Sequence, residues 1–151
     1  MTAGERYRVS PRRVEKPWGW ELIWAETDAY VGKLLFIRAG EALSLQYHQV
    51  KDEAWLVREG VARVELGVAD EGNLETIEIR EGDALHYPAG TLHRVTAVED
   101  TLIVEVSTPH LDDVVRVEDR YGREGTSARS RWSATAETTS ATPPTSIHVG
   151  T

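Results

Sequence analysis

The chain contains no cysteine among its 151 residues. That absence excludes disulfides, thiolate metal sites and cysteine nucleophiles. No apolar run approaches the roughly 18–20 residues that span a bilayer, and the polar, basic stretch 1–9 lacks the apolar core of a secretory signal. A cytoplasmic protein with no membrane partner is the expectation. Positive charge is also in deficit, with a formal net charge of −8. The imbalance is uneven: residues 1–16 carry five Lys/Arg and two acids, residues 17–123 carry ten against twenty-one, and the remainder balances. An acidic body argues against nucleic acid as a partner. It also requires any phosphorylated ligand to find cations concentrated locally.

The length fits one domain with a single core. From Trp20 to Ser107 the chain reads as short strands separated by turns. Segments 31–37, 42–48, 54–58 and 101–106 are apolar, 61–66 and 74–79 alternate at period two, and 67–73 has the composition of a hairpin turn. Short strands at this spacing predict an all-β sandwich or barrel, and two four-strand halves match a jelly roll. Composition divides the chain into an arm at 1–15, a barrel at 16–123 and a disordered tail at 124–151, rich in Ser, Thr and Ala. Trp132 and His148 fall in that tail, and His148 is not expected to bind metal.

Two spaced motifs carry the chemistry. One is Gly40-x5-Gln46-x-His48-x4-Glu53-x6-Gly60; the other is Gly82-x5-Pro88-x-Gly90-x2-His93. Side chains two apart in a strand share a face, so Gln46 and His48 point the same way. Glu53 opens the next strand and His93 arrives from a third. Two imidazoles, a carboxylate and an amide oxygen suit a divalent ion. Zinc is the leading expectation, and manganese, iron, cobalt or nickel would fit the same donors.

These spacings resemble the two signature motifs of the cupin family, without insertion. That resemblance implies a single cupin (double-stranded β-helix, jelly-roll) barrel. Gln46 stands where many cupins have His, and the run Leu43-Ser44-Leu45-Gln46-Tyr47-His48 is similar to the phosphomannose isomerases. Lys16-Pro17-Trp18-Gly19, Pro88-Ala89-Gly90-Thr91-Leu92-His93-Arg94 and the stretch from Asp112 to Arg123 resemble the cupin half of type II mannose-6-phosphate isomerases. The chain departs from that family's pattern at Gln49, Lys51 and Ala54.

The resemblance implies a metal-dependent isomerase that interconverts mannose 6-phosphate and fructose 6-phosphate through a metal-stabilised enediolate. Catalytic or phosphate-binding roles are expected for Lys51, Arg94 and Arg123, with Lys51 acting as the base if burial lowers its pKa. An oxygenase and a non-catalytic sugar-phosphate-binding protein are the rival readings. Nucleotide transfer is not expected from a chain of this length. Of His86 and Tyr87, alternation sends one into the barrel without saying which. Trp18, Trp20 and Trp24 are expected in core and subunit packing, Tyr47 in the core, and a homodimer is the expected assembly.

Overall fold

The structure is a computed structural model and describes residues 1–69 and 71–125. After a one-turn helix α1 (Ala3–Tyr7), capped by Thr2 and Glu5, the described residues form eleven strands. They are β1 (Arg12–Lys16), β2 (Gly19–Glu26), β3 (Val31–Ile37), β4 (Leu45–Tyr47), β5 (Glu53–Glu59), β6 (Val61–Val68), β7 (Glu75–Arg80), β8 (Ala84–Tyr87), β9 (Thr91–Ala97), β10 (Thr101–Ser107) and β11 (Val115–Glu118).

All pairings are antiparallel, and they build two sheets, β1-β2-β3-β10-β5-β8 and β11-β4-β9-β6-β7. The quartets β3-β10-β5-β8 and β4-β9-β6-β7 are the two halves of the expected jelly roll. The hairpin β1-β2 extends one sheet and β11 extends the other. Inward residues of both sheets fill the main core: Leu35, Ile37, Trp55, Val57 and Ile103 meet Ala62, Val64, Ile79, Val95 and Ala97. Burying such aliphatic side chains contributes about 1.5–3 kcal/mol each. The sharp β5-to-β6 reversal needs Gly60: its φ is +96°, and a Cβ there would lie 2.3 Å from the Asp100 carbonyl oxygen.

Two boundaries differ from expectation. Strand β1 crosses the arm–barrel boundary at 15/16, because Arg12–Lys16 pairs along β2. The strand expected over 42–48 is confined to Leu45–Tyr47, preceded by one isolated bridge from Ala42 to Thr96. The tail expected from 124 lies outside the described residues from 126 on, and with it Trp132 and His148. Among the described residues no helix is long and apolar enough to cross a membrane.

Candidate metal centre

His48 leaves the end of β4, Glu53 opens β5 and His93 sits inside β9; all three side chains are buried. The Pro88–Gly90 turn is joined to the first ligand segment, because the Gly90 N–H donates to the His48 carbonyl at 2.8 Å. Gly90 has φ +85°, which a glycine tolerates.

The imidazoles are oriented from behind. The Nδ1 of His48 contacts the Asp113 carbonyl oxygen, and that of His93 contacts the Thr91 carbonyl oxygen at 2.9 Å. A carbonyl only accepts, so both neutral rings carry their proton on Nδ1 and present a bare Nε2 forward. Those two Nε2 atoms lie 3.4 and 3.0 Å from Glu53 Oε1. All three atoms are buried and none has a hydrogen-bond partner. Lone pairs so placed repel one another, and a divalent cation between them satisfies all three at once. The group could therefore hold a metal ion.

Gln46 lines the adjacent cavity directly across from His93, but its Oε1 accepts from Ser44 Oγ at 2.6 Å. The convergent set is thus three residues, with Gln46 beside it.

Electrostatics around Glu53 come from a buried ladder of alternating charge. Lys16 meets Glu21 at 3.3 Å, Glu21 meets Lys33 at 3.2 Å, and Lys33 meets Glu105 at 3.9 Å. Lys51 then bridges Glu105 at 3.4 Å and Glu53 at 2.7 Å. Burial would raise the Glu53 carboxyl, but the Lys51 ammonium at 2.7 Å opposes it, and the group is held well below the usual carboxylate range. Glu105 moves up, through burial and the Glu53 charge, against Lys51 and Lys33. Lys51 is also raised: burial favours its neutral form, yet Glu105 and Glu53 prevail. A lysine so paired keeps its proton, which corrects its expected role as a base.

Arg94 does not line the cavity. It follows the inward His93 in a strand and so faces outward, where it forms a fork with Glu65 and reaches Glu118 at 2.9 Å. Arg123 lines the cavity, with its guanidinium held by Asp119 at 2.8 and 3.0 Å. Between the two sheets the cavity measures about 310 Å³. Tyr87 is the inward member of its pair, stacked on His93 at 4.5 Å, whereas His86 is exposed and meets Asp52 at 2.9 Å. Tyr47 is buried in a second cluster with Leu45, Leu92 and Val115. Trp18 lies in the core, and Trp20 stacks on Phe36 outside it.

The sequence reading missed Glu105, Lys33 and Asp113. Glu105 and Lys33 carried a signal, each being a charge at an inward position of an apolar strand. Asp113 organises the first ligand loop, where its carboxylate accepts from the N–H groups of Gln49, Val50 and Lys51 at 3.0, 2.7 and 2.8 Å.

Residues 4–119 match the family described as mannose-6-phosphate isomerase C-terminal. The chain belongs to this family. Among curated relatives of this mannose-6-phosphate isomerase C-terminal family member, it is 35% identical over 117 residues to the mannose-1-phosphate guanylyltransferase ManC of Salmonella typhimurium, covering 74% of this chain and 23% of that one. It is 32% identical over 127 residues to the xanthan biosynthesis protein XanB of Xanthomonas campestris, covering 81% and 26%. The chain thus spans about a quarter of the length of these relatives.

Among solved structures it resembles the capsular polysaccharide assembling protein CapF from Staphylococcus aureus, with TM-score 0.65, 14% identity and coverage of 77% and 34%. It also resembles oxalate decarboxylase from Bacillus subtilis, a protein with Mn(II) centres, with TM-score 0.60, 20% identity and coverage of 69% and 29%. These likenesses show the cupin fold alone.

The isomerase expectation is overturned by the relatives. Those at 30% identity and above include mannose-1-phosphate guanylyltransferases, which are named for nucleotidyl transfer and not for isomerisation. The physical reason is that a His/Glu/His cradle in a jelly roll reports a metal-capable barrel, and one such barrel hosts many reactions.

Proposed function

We propose that this chain is a metal-dependent cupin that binds a mannose phosphate, and that it supports guanylyl transfer to mannose 1-phosphate in longer proteins of its kind. The observation that carries this reading is the meeting, beside one cavity, of three unpartnered buried lone-pair atoms and a set of cationic side chains. His48, Glu53 and His93 would hold the ion, with zinc the best match to two imidazoles and a carboxylate, and manganese the nearest rival. A divalent cation there supplies Lewis acidity towards a ligand oxygen. Trp55 and Trp18 offer apolar walls, and Gln46 a polar one. Because Lys51 stays protonated, the site favours binding and orientation over proton transfer.

The test is calorimetric titration of mannose 1-phosphate, mannose and GTP into zinc- or manganese-loaded protein. Mannose 1-phosphate should bind, and binding should weaken at least tenfold in His93→Ala. Absence of mannose 1-phosphate binding in the loaded wild type would end this reading.

A further inference from the structure

Most cations around the cavity are already neutralised. Lys51, Lys33 and Lys16 are spent on Glu53, Glu105 and Glu21. Arg123 is held by Asp119, and Arg12 by Glu26 at 3.2 Å. Arg116 is different. Among the described residues it is the cavity-lining cation that makes no carboxylate ion pair, and its Nε is buried without a hydrogen-bond partner. One of its other nitrogens donates to the Glu124 carbonyl, and the acid that acts on its charge, Asp119, is itself ion-paired with Arg123.

Its position is informative. Arg116 on the edge strand β11 pairs with Gln46 on β4, and Gln46 pairs with His93 on β9. Cross-strand partners share a face, so Arg116, Gln46 and His93 form one row along the inner surface. Strands lie about 4.8 Å apart, so the row spans roughly 10 Å between the Cα atoms of Arg116 and His93. One end of that row offers a planar, permanently charged fork suited to phosphate oxygens. The other end is the metal cradle.

We propose that Arg116 anchors the phosphate of a phosphomonoester ligand, whose sugar then lies along Gln46 towards His48, Glu53 and His93. The assignment of the sugar rests on the proposed function above; the assignment of the anion does not. Two titrations keep them apart. Inorganic phosphate titrated into metal-free protein tests Arg116 alone: it should bind wild type and lose at least tenfold in Arg116→Gln, with partial recovery in Arg116→Lys. Undiminished phosphate binding in Arg116→Gln, or none in wild type, would overturn the proposal. Mannose 1-phosphate titrated into metal-loaded protein should show the same loss, and failure of that arm alone would count against the sugar reading. Unchanged zinc affinity in Arg116→Gln confirms that the variant folds.

An independent observation concerns the outer face of the first sheet. Trp20, Leu22 and Trp24 on β2, Leu34 and Phe36 on β3, Leu102, Val104 and Val106 on β10, and Ala54 and Leu56 on β5 all turn away from the core. Trp24, Leu56 and Val106 remain 42%, 43% and 51% exposed. The registers Trp20–Phe36–Leu102 and Leu22–Leu34–Val104–Leu56 make the patch continuous. Trp24 lies flat because Gly32 beneath it has no Cβ, which would come 2.5 Å from the indole.

These ten outward residues on four strands cover roughly 400–500 Å² per copy, so a face-to-face pair encloses about 1,000 Å², the lower bound of a stable interface. Charge lies at its β1 margin, where Arg13 sits over the Trp20 ring and pairs with Glu15, while the central row Leu22–Leu34–Val104–Leu56 is uncharged and meets no like-charge repulsion on self-pairing across a two-fold axis. We infer that this face binds a second copy of the chain. Sedimentation velocity should show a dimer for wild type and a folded monomer for Val106→Glu with Leu56→Glu. A monomeric wild type at high concentration, or a dimer that survives both substitutions, would refute it.

Discussion

The metal reading makes a quantitative thermal prediction. His48 Nε2, Glu53 Oε1 and His93 Nε2 are buried without hydrogen bonds. An unsatisfied buried polar atom costs about 1–3 kcal/mol, so the three together cost roughly 3–9 kcal/mol in the metal-free fold. A cation that relieves this stabilises the native state by mass action, about 2.7 kcal/mol at a free concentration one hundred times Kd. With an unfolding entropy near 2.1 cal/mol/K per residue over the roughly 120 described residues, that gain corresponds to a rise in Tm of about 10 °C. Differential scanning calorimetry of chelator-treated protein, with and without zinc or manganese, reads it directly. His93→Ala removes one of three donors and should abolish most of the rise. The comparison must be the metal-induced shift, since His93 also stacks on Tyr87 and its loss destabilises the metal-free protein by itself. No shift with zinc, manganese, cobalt or nickel, or an equal shift in His93→Ala, would refute the argument.

Asp113→Ala should weaken zinc affinity about 10–100-fold by releasing the 49–51 loop, as losses behind a ligand usually do, with competition against a chelator as the measurement. Tyr87→Phe should leave the metal-free protein equal or more stable by about 1 kcal/mol, because the Tyr87 hydroxyl is buried without a partner; a denaturant midpoint that falls would contradict it. Glu21 gives a pH signature. Burial raises its carboxyl, but Lys33 and Lys16 prevail and hold it below the ordinary value of 4.5. A lowered carboxylate contributes stability that is present above its unfolded-state value and lost as pH falls through its folded-state value. Denaturant melts between roughly pH 7 and pH 3 should therefore show a shallower acid decline in Glu21→Gln than in wild type; identical slopes would remove Glu21 from that decline.

What the sequence determined by itself was whatever local periodicity and motif spacing control. Alternation at 61–66 and 74–79 located β6 and β7, and the spacings around His48 and His93 located the cradle, because strand geometry repeats every two residues. The same rule was sufficient to turn Arg94 away from the side that His93 faces. Alternation gives only relative sides, however, so it left Tyr87 and His86 unresolved until the sheet showed which face was interior.

The partnerships that define the site were decided by tertiary structure. Lys51 meets Glu105 across 54 positions, and Asp113 meets the loop at 49–51 across more than 60. Arg116 reaches the row of Gln46 and His93 only because β11 adds to the edge of the second sheet. Whether Lys51 is a base or a fixed cation depends on which carboxylates surround it after folding. Spacing along a strand cannot report that, because the groups that set its charge come from strands paired through the fold and not through the sequence.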